Sequence, residues 1–231
     1  MSKLTWDETG KKLYETGIDR VVIYPYDTTN NQYGAGVAWS GITSISESPS
    51  GADNNDLYAD NIKYLSLRAA EEFGASIEAY TYPDEFAVLD GSVELTEGVT
   101  IGQQSRGTFA MSYRTIVGND TQSNDYGYKI HLVYGASVSP SEKQYSTVND
   151  SPEAISFSWE LTTNPVTVTG YKPTSIVTID STKFKTEAQK AKLTAFENIL
   201  YGTDASGGSE GTTARIPLPD EVKTLLTVSA G

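Results

Sequence analysis

Only one stretch of this chain reads as a long helix, and that limits what the rest can be. Thr186-Glu187-Ala188-Gln189 has the form of a capping box, in which the Thr hydroxyl takes one free backbone N–H and the Gln side chain, three residues on, takes another. Leu193, Phe196 and Leu200 follow at helical spacing, with Ala188, Ala191, Ala195 and Ile199 beside them, and Gly202 is placed to end the run. The spacing predicts an amphipathic helix over about 186–201. With no second long helix to receive it, its apolar stripe must lie on a sheet.

The remaining periodic segments alternate as strands do. Residues 18–24 are rich in β-branched and aromatic types and stop at Pro25, and 37–45 alternates more loosely. Residues 62–67 and 73–82 each present two dissimilar faces, and we read them as adjoining strands. In the second, Glu78 falls between Ser76 and Tyr80 on the wetter face, where a carboxylate costs least. Pro83, followed by Asp84 and Glu85, suits the first turn of a short helix ending at Gly91. Residues 107–117 and 126–138 form a hairpin around the polar loop GNDTQSND, and 154–161, 166–169 and 175–180 supply further strands. A chain of 231 residues with this pattern is expected to be one mainly β domain, an antiparallel β-sandwich with the helix packed on it.

Three segments do not fit that frame by themselves. Residues 46–61 (SESPSGADNNDLYADN) read as a loop too long for an ordinary connection. Two readings are open for it, a surface loop or an arm ordered against another copy, with Pro49, Asp53, Leu57 and Tyr58 as the contact candidates. Residues 203–213 read as a flexible Gly/Ser linker. The arm 214–231 ends in a short apolar stripe that includes Val222 and Leu225, and docking on its own domain or on another subunit are equally open.

Charge separates the function classes. There are 17 Lys and Arg against 30 Asp and Glu, so the net charge of −13 excludes a protein that works by gripping phosphates. From residue 69 to residue 105 there are eight acids and no base. The 38% apolar fraction is below the roughly 45–50% usual for globular chains, so the core is expected to be thin. No cysteine is present, which removes disulfides and thiolate chemistry and fits synthesis in a cytoplasm. The first residues lack the apolar core of a signal peptide, and no run approaches the roughly 18 apolar residues of a membrane span, so a soluble product is expected.

Catalytic readings find little support. Gly207-Gly208-Ser209-Glu210-Gly211 matches the serine hydrolase elbow in letters, but it lies in the linker rather than between a strand and a helix. The single histidine, His131, sits in an alternating strand and is read as a packed or surface residue. Asp53-Asn54-Asn55-Asp56 lacks the spacing of a calcium loop, and no phosphate-binding glycine motif occurs. No cofactor or metal is expected. The abundance of acids singles out no carboxylate pair for glycosidic chemistry. The 15 Tyr and three Trp leave one alternative, a non-assembling β-sandwich that binds a host glycan.

Several stretches carry a resemblance that the individual signals do not. These are LTWDETGKKLYETG, LYADNIKYLSLRAAEEFGASIEAYTYPDEF, GVTIGQQSRGTFAMSYRTIVGND, YGYKIHLVYGASVSPSEKQYSTVNDSPEAISFSWELTT, ILYGTDA and RIPLPDEV. In wording, over most of its length, the chain resembles the major tail proteins, or tail tube proteins, of long-tailed bacteriophages and related prophages. The resemblance implies a structural virion protein, made in the host bacterial cytoplasm, whose hexameric rings stack into a tail tube with an inner β-barrel. It implies as partners other copies of the chain, the tape measure protein in the lumen, tail terminator and distal tail proteins at the ends, and double-stranded DNA that passes without sticking, with no membrane contact. Under it Glu71, Glu72 and Glu78 become candidate lumen-lining acids, against the plainer reading of an acidic outer surface. Pro49, Asp53, Leu57, Tyr58, Val222 and Leu225 become candidate inter-ring contacts.

Overall fold

A computed structural model describes residues 3–148, 150, 154–205 and 210–228. The chain opens with the long strand β1 (Leu13–Asp27), two short strands, β2 (Gln32–Tyr33) and β3 (Val37–Ala38), and then β4 (Ile42–Glu47). An excursion follows through β5 (Ser50–Gly51), β6 (Asn54–Ala59), β7 (Ile62–Arg68) and β8 (Glu71–Glu72) before β9 (Gly74–Ala79). Helix α1 (Asp84–Leu89) and the hairpin β10 (Val93–Thr96) and β11 (Val99–Ile101) lead to the long pair β12 (Phe109–Asn119) and β13 (Ser123–Val138). Strands β14 (Phe157–Thr163) and β15 (Ile176–Asp180) and helices α2 (Glu187–Tyr201) and α3 (Pro219–Leu226) complete it.

The main sheet is antiparallel and runs β2-β1-β12-β13-β14-β9-β4, with β15 paired to β13 and β3 to β1. Strand β13 is its corner. Lys129 to Val133 pair with β15, whereas Ala136 to Val138 pair with β14. Between them Gly135 takes φ +61°, and a Cβ there would stand 2.1 Å from the Asn164 carbonyl oxygen. Only glycine allows the backbones to meet this closely, and the bend lets β14-β9-β4 fold over the β1-β12-β13 layer.

The central strands are consequently buried on both faces, so β12 reads as a nearly continuous buried run rather than an alternation. One face of the layer, through Ile23, Phe109, Met111 and Val133, meets Ile77, Trp159 and Leu161 of the folded-over strands, with Trp39 and Phe86 between them. The opposite face, through Val22, Tyr24, Ala110, Leu132 and Tyr134, receives Leu193, Phe196 and Leu200 of α2. The expected helix therefore lies on a sheet, and its capping box forms: Thr186 Oγ1 accepts from Gln189 N, while Gln189 Oε1 accepts from Thr186 N.

Three expectations need correction. Residues 46–61 are not a structureless loop, because β5 and β6 fall within them and pair with β8 and β7. The segments 62–67 and 73–82 do not adjoin as strands but lie end to end along one limb, each paired with 42–59. Of the strand expected at 166–169, only a bridge between Val166 and Thr174 forms.

The C-terminal segment docks on its own domain. Tyr134 Oη donates to the Pro217 carbonyl at 2.8 Å, Arg215 N donates to the Ile199 carbonyl at 3.0 Å, and α3 packs beside α2. Val222 is buried there and Leu225 is half-buried against the same cluster, so both side chains contact their own domain. Of the 203–213 linker, residues 206–209 lie outside the described residues, as therefore does the serine of the elbow-like sequence. Its ends are joined by a Thr203–Thr212 bridge with backbone hydrogen bonds of 3.1 and 3.0 Å.

Candidate functional site

Pairing register identifies the most unusual feature. Strand β4 pairs with β9, β5 with β8 and β6 with β7, and the register stays constant from Ser44↔Glu78 out to Leu57↔Leu65. Loop bonds bridge the gaps, Ser48 N to the Gly74 carbonyl at 2.8 Å and Ala69 N to the Asp53 carbonyl at 3.0 Å. The three ladders are thus one antiparallel ribbon that leaves the main sheet after Glu47 and turns at Asp60-Asn61. Both turn residues have positive φ, +52° and +65°, as a two-residue hairpin turn requires and as Asp and Asn tolerate. The extended chain from Glu47 to Ala59 spans up to about 40 Å.

The base and the outer part of this ribbon differ in chemistry. At the base, the outward face of the folded-over sheet carries Ser44, Ser46, Ser76, Glu78, Ser158 and Glu160, and β4, β9 and β14 contain no Lys or Arg. Glu78 is exposed and accepts a hydrogen bond from Ser44 Oγ at 3.1 Å. The predicted wet face of this strand is therefore present. Glu71 and Glu72 are exposed too, but they lie outside the main sheet on β8, opposite Gly51 and Ser50. Glu72 shares the alternate-residue parity of Glu78 and Glu71 has the opposite one, so no single patch gathers all three.

Beyond the base, the ribbon is almost wholly exposed among the described residues. Every residue of β7 is exposed, and Leu57, Tyr58, Ile62, Tyr64, Leu65 and Leu67 are exposed large apolar residues. Leu57 pairs directly with Leu65 across the ladder. Lys63 and Asp56 form a 2.7 Å ion pair, and Ser66 Oγ donates to Asp56 at 2.6 Å. Asp56 is held below the usual carboxylate range by these two contacts, that of Lys63 first. Pro49 and Asp53 are exposed between the short ladders. A second ribbon, β10-β11, is also exposed throughout, with Val93 opposite Ile101 and Leu95 two-thirds exposed. A two-stranded ribbon without a covering layer is marginal in water. Sequence reading missed β6 because its first half is Asn-Asn-Asp; the available signal was Asp60-Asn61 set between LYA and IKY.

His131 is packed in its strand against neighbouring side chains. Its ring stacks on Tyr113 at 4.6 Å with 6° between planes, Nε2 meets Thr115 Oγ1 at 3.1 Å, and Nδ1 lies 3.6 Å from Glu47. Burial lowers its pKa below the usual imidazole value, against the smaller opposing pull of Glu47. Among the described residues, no group of three or more His, Asp or Glu side chains is arranged to hold a metal ion, and no helix is long and apolar enough to cross a membrane. No protein-family model matches the chain, and no curated protein matches it.

Proposed function

We propose that this chain is a self-assembling structural subunit, a tail tube protein of a long-tailed bacteriophage, whose hexameric rings stack into a hollow conduit. The observation that carries this reading is the ribbon from Ile42 to Ala79, which joins a polar, base-free sheet face to an exposed apolar extension that no other described segment covers. Strand β4 is an open edge, paired within the described residues only to β9, and ring closure between copies would use such an edge and remove its aggregation hazard. A wall bearing Ser hydroxyls, Glu78 and Glu160 repels phosphates and lets DNA move; with a Debye length of about 8 Å at physiological salt, that repulsion acts close to the wall. The tape measure protein would occupy the same lumen before ejection, and terminator and distal tail proteins would cap the ends. The outer ribbon, through Pro49, Asp53, Leu57 and Tyr58, would reach the adjoining ring.

Negative-stain electron microscopy of the concentrated protein tests this directly. Rings or tubes with a central channel are expected. Persistent monomers that bind a glycan array would replace the reading with that of a binding module.

A further inference from the structure

Trp6 is 76% exposed and Leu4 72% exposed on the segment before β1. An aromatic side chain buries about 150–250 Å² when it finds a site, so an indole left in water is a large unused contact. The segment is anchored all the same. Gly10 N donates to both carboxylate oxygens of Asp120 at 3.0 and 3.1 Å, and Asn119 Nδ2 donates to the Gly10 carbonyl at 3.2 Å. This fixes it at the tip of the β12-β13 hairpin, past the Leu13↔Asn119 end of β1.

Farther along β1 a bulge lies between Asp19 and Val22, and Arg20 within it takes φ +50°. A non-glycine residue in that region is strained, and bulges re-aim side chains. Here the Arg20 guanidinium stands 5.4 Å from the centroid of the Tyr201 ring and 3.7 Å from Glu197. Beside it opens a depression of about 320 Å³ lined by Val22, Gly36, Ala38, Tyr201 and Ala214. Gly36 is required in its wall, since a Cβ there would come within 2.7 Å of the Tyr24 ring and 3.0 Å of Val22 and Ala214. An apolar hollow with a guanidinium at its rim suits an aromatic ring, and indole best.

We propose that Trp6 of one copy seats in the Arg20–Tyr201 depression of the next. The chain's own Trp6 does not reach it. Four residues from Gly10 span at most about 14 Å, whereas Leu13 to Arg20 is a strand run of about 23 Å leading away from the anchor. Charge agrees with the pairing, because Asp7, beside Trp6, is in no ion pair among the described residues and would meet Arg20. Each copy then offers one peg and one socket, a head-to-tail contact that closes into rings or runs on as a filament. The contact deepens the assembly proposed above, and its repetition around a ring rests on that reading.

The chain has no cysteine, so two can be placed cleanly. Thr5→Cys and Ala38→Cys, both at exposed positions, are made in separate full-length chains, mixed, and treated with a short bis-maleimide. A cross-linked dimer is expected whose yield falls about tenfold when Trp6→Ala is added to the first chain, the loss typical of an aromatic anchor. Absence of that dimer while the unsubstituted chain forms rings or tubes overturns the contact and leaves the assembly standing. A yield indifferent to Trp6→Ala, or a purely intramolecular product when both cysteines are in one chain, also overturns it. A Trp6-dependent cross-link from a chain that never forms rings or tubes supports the contact and removes the tube.

Discussion

Tyr113 donates its hydroxyl proton to Glu47 at 2.5 Å, tying the middle of β12 to the last residue of β4, where the ribbon leaves the sheet. Tyr113 is 3% exposed, whereas the Glu47 side chain is 40% exposed. Burial, and then the carboxylate beside it, push the phenol well above its usual pKa, so the donor stays protonated through the alkaline range. Tyr113→Phe keeps the stack on His131 and removes only this bond. It is expected to lower stability by about 1–2 kcal/mol, a charge-assisted bond discounted for the exposed partner. Urea denaturation with an unchanged slope checks it.

His131 gives a pH dependence of defined sign. Burial is the main cause of its lowered pKa; Glu47 and Glu15 oppose it, and Lys129 assists. Below its unfolded value of 6.5 the unfolded chain binds a proton that the folded chain resists. Its contribution is therefore fully present above pH 6.5 and is lost as pH falls from there to the folded pKa. His131→Gln should flatten this part of the profile, so that the difference in stability between pH 7.5 and 5.5 becomes smaller than in the parent chain. As the only histidine, it can also be titrated directly by its ring proton shifts. A folded pKa at or above 6.5 would refute the sign.

Legibility in the sequence followed how local each signal was. Helix α2 could be read because its cap, stripe and stop all lie within 17 residues, Thr186 to Gly202, and the structure satisfies each of them. The face carrying Glu78 could be read because alternation in 73–79 survives burial on one side only. By contrast, β12 and β13 are covered on both faces, and the hairpin between them is tighter than its polar loop implied, with Asn119 paired to Ser123. The ribbon was obscured for another reason. Its limb 46–59 has loop composition and is held straight by partners 62–79 that lie across a turn, a pairing no local period reveals. The α3 segment has an apolar stripe too short to set a helical period by itself, and its Pro219 stands at the first turn of the helix, where proline is tolerated.

Gly135 bears the change of sheet, so Gly135→Ala tests the corner. The substitution puts a side chain at φ +61° and within 2.1 Å of a backbone oxygen that cannot swing away. The conformation alone costs on the order of 1–3 kcal/mol, and the collision adds to it. The expected outcome is insoluble or non-cooperatively melting protein. Gly98→Ala is the control. It also has positive φ, +75°, but meets open space in the exposed β10-β11 turn, so it should show only the conformational loss and still melt cooperatively as soluble protein.

The outer ribbon separates stability from assembly most sharply. Leu57 and Leu65 face each other across β6-β7 and touch neither core cluster, so replacing both with Ser removes apolar surface that the folded monomer does not bury. Surface substitutions of this kind usually change stability by within about 0.5 kcal/mol. If the ribbon is an arm between rings, the same change takes two central anchors from an interface in which single anchors are worth about 2 kcal/mol or more. Leu57→Ser with Leu65→Ser should therefore melt like the parent as a monomer yet fail to elongate by light scattering and electron microscopy. Glu78→Lys is its complement at the base of the same ribbon. It leaves the arm intact, so tubes should form, and if this face lines the channel the added cations should slow DNA passage in ejection assays. Normal elongation of the leucine variant would remove the ribbon from the interface, and unimpaired ejection with Glu78→Lys would remove that face from the lumen.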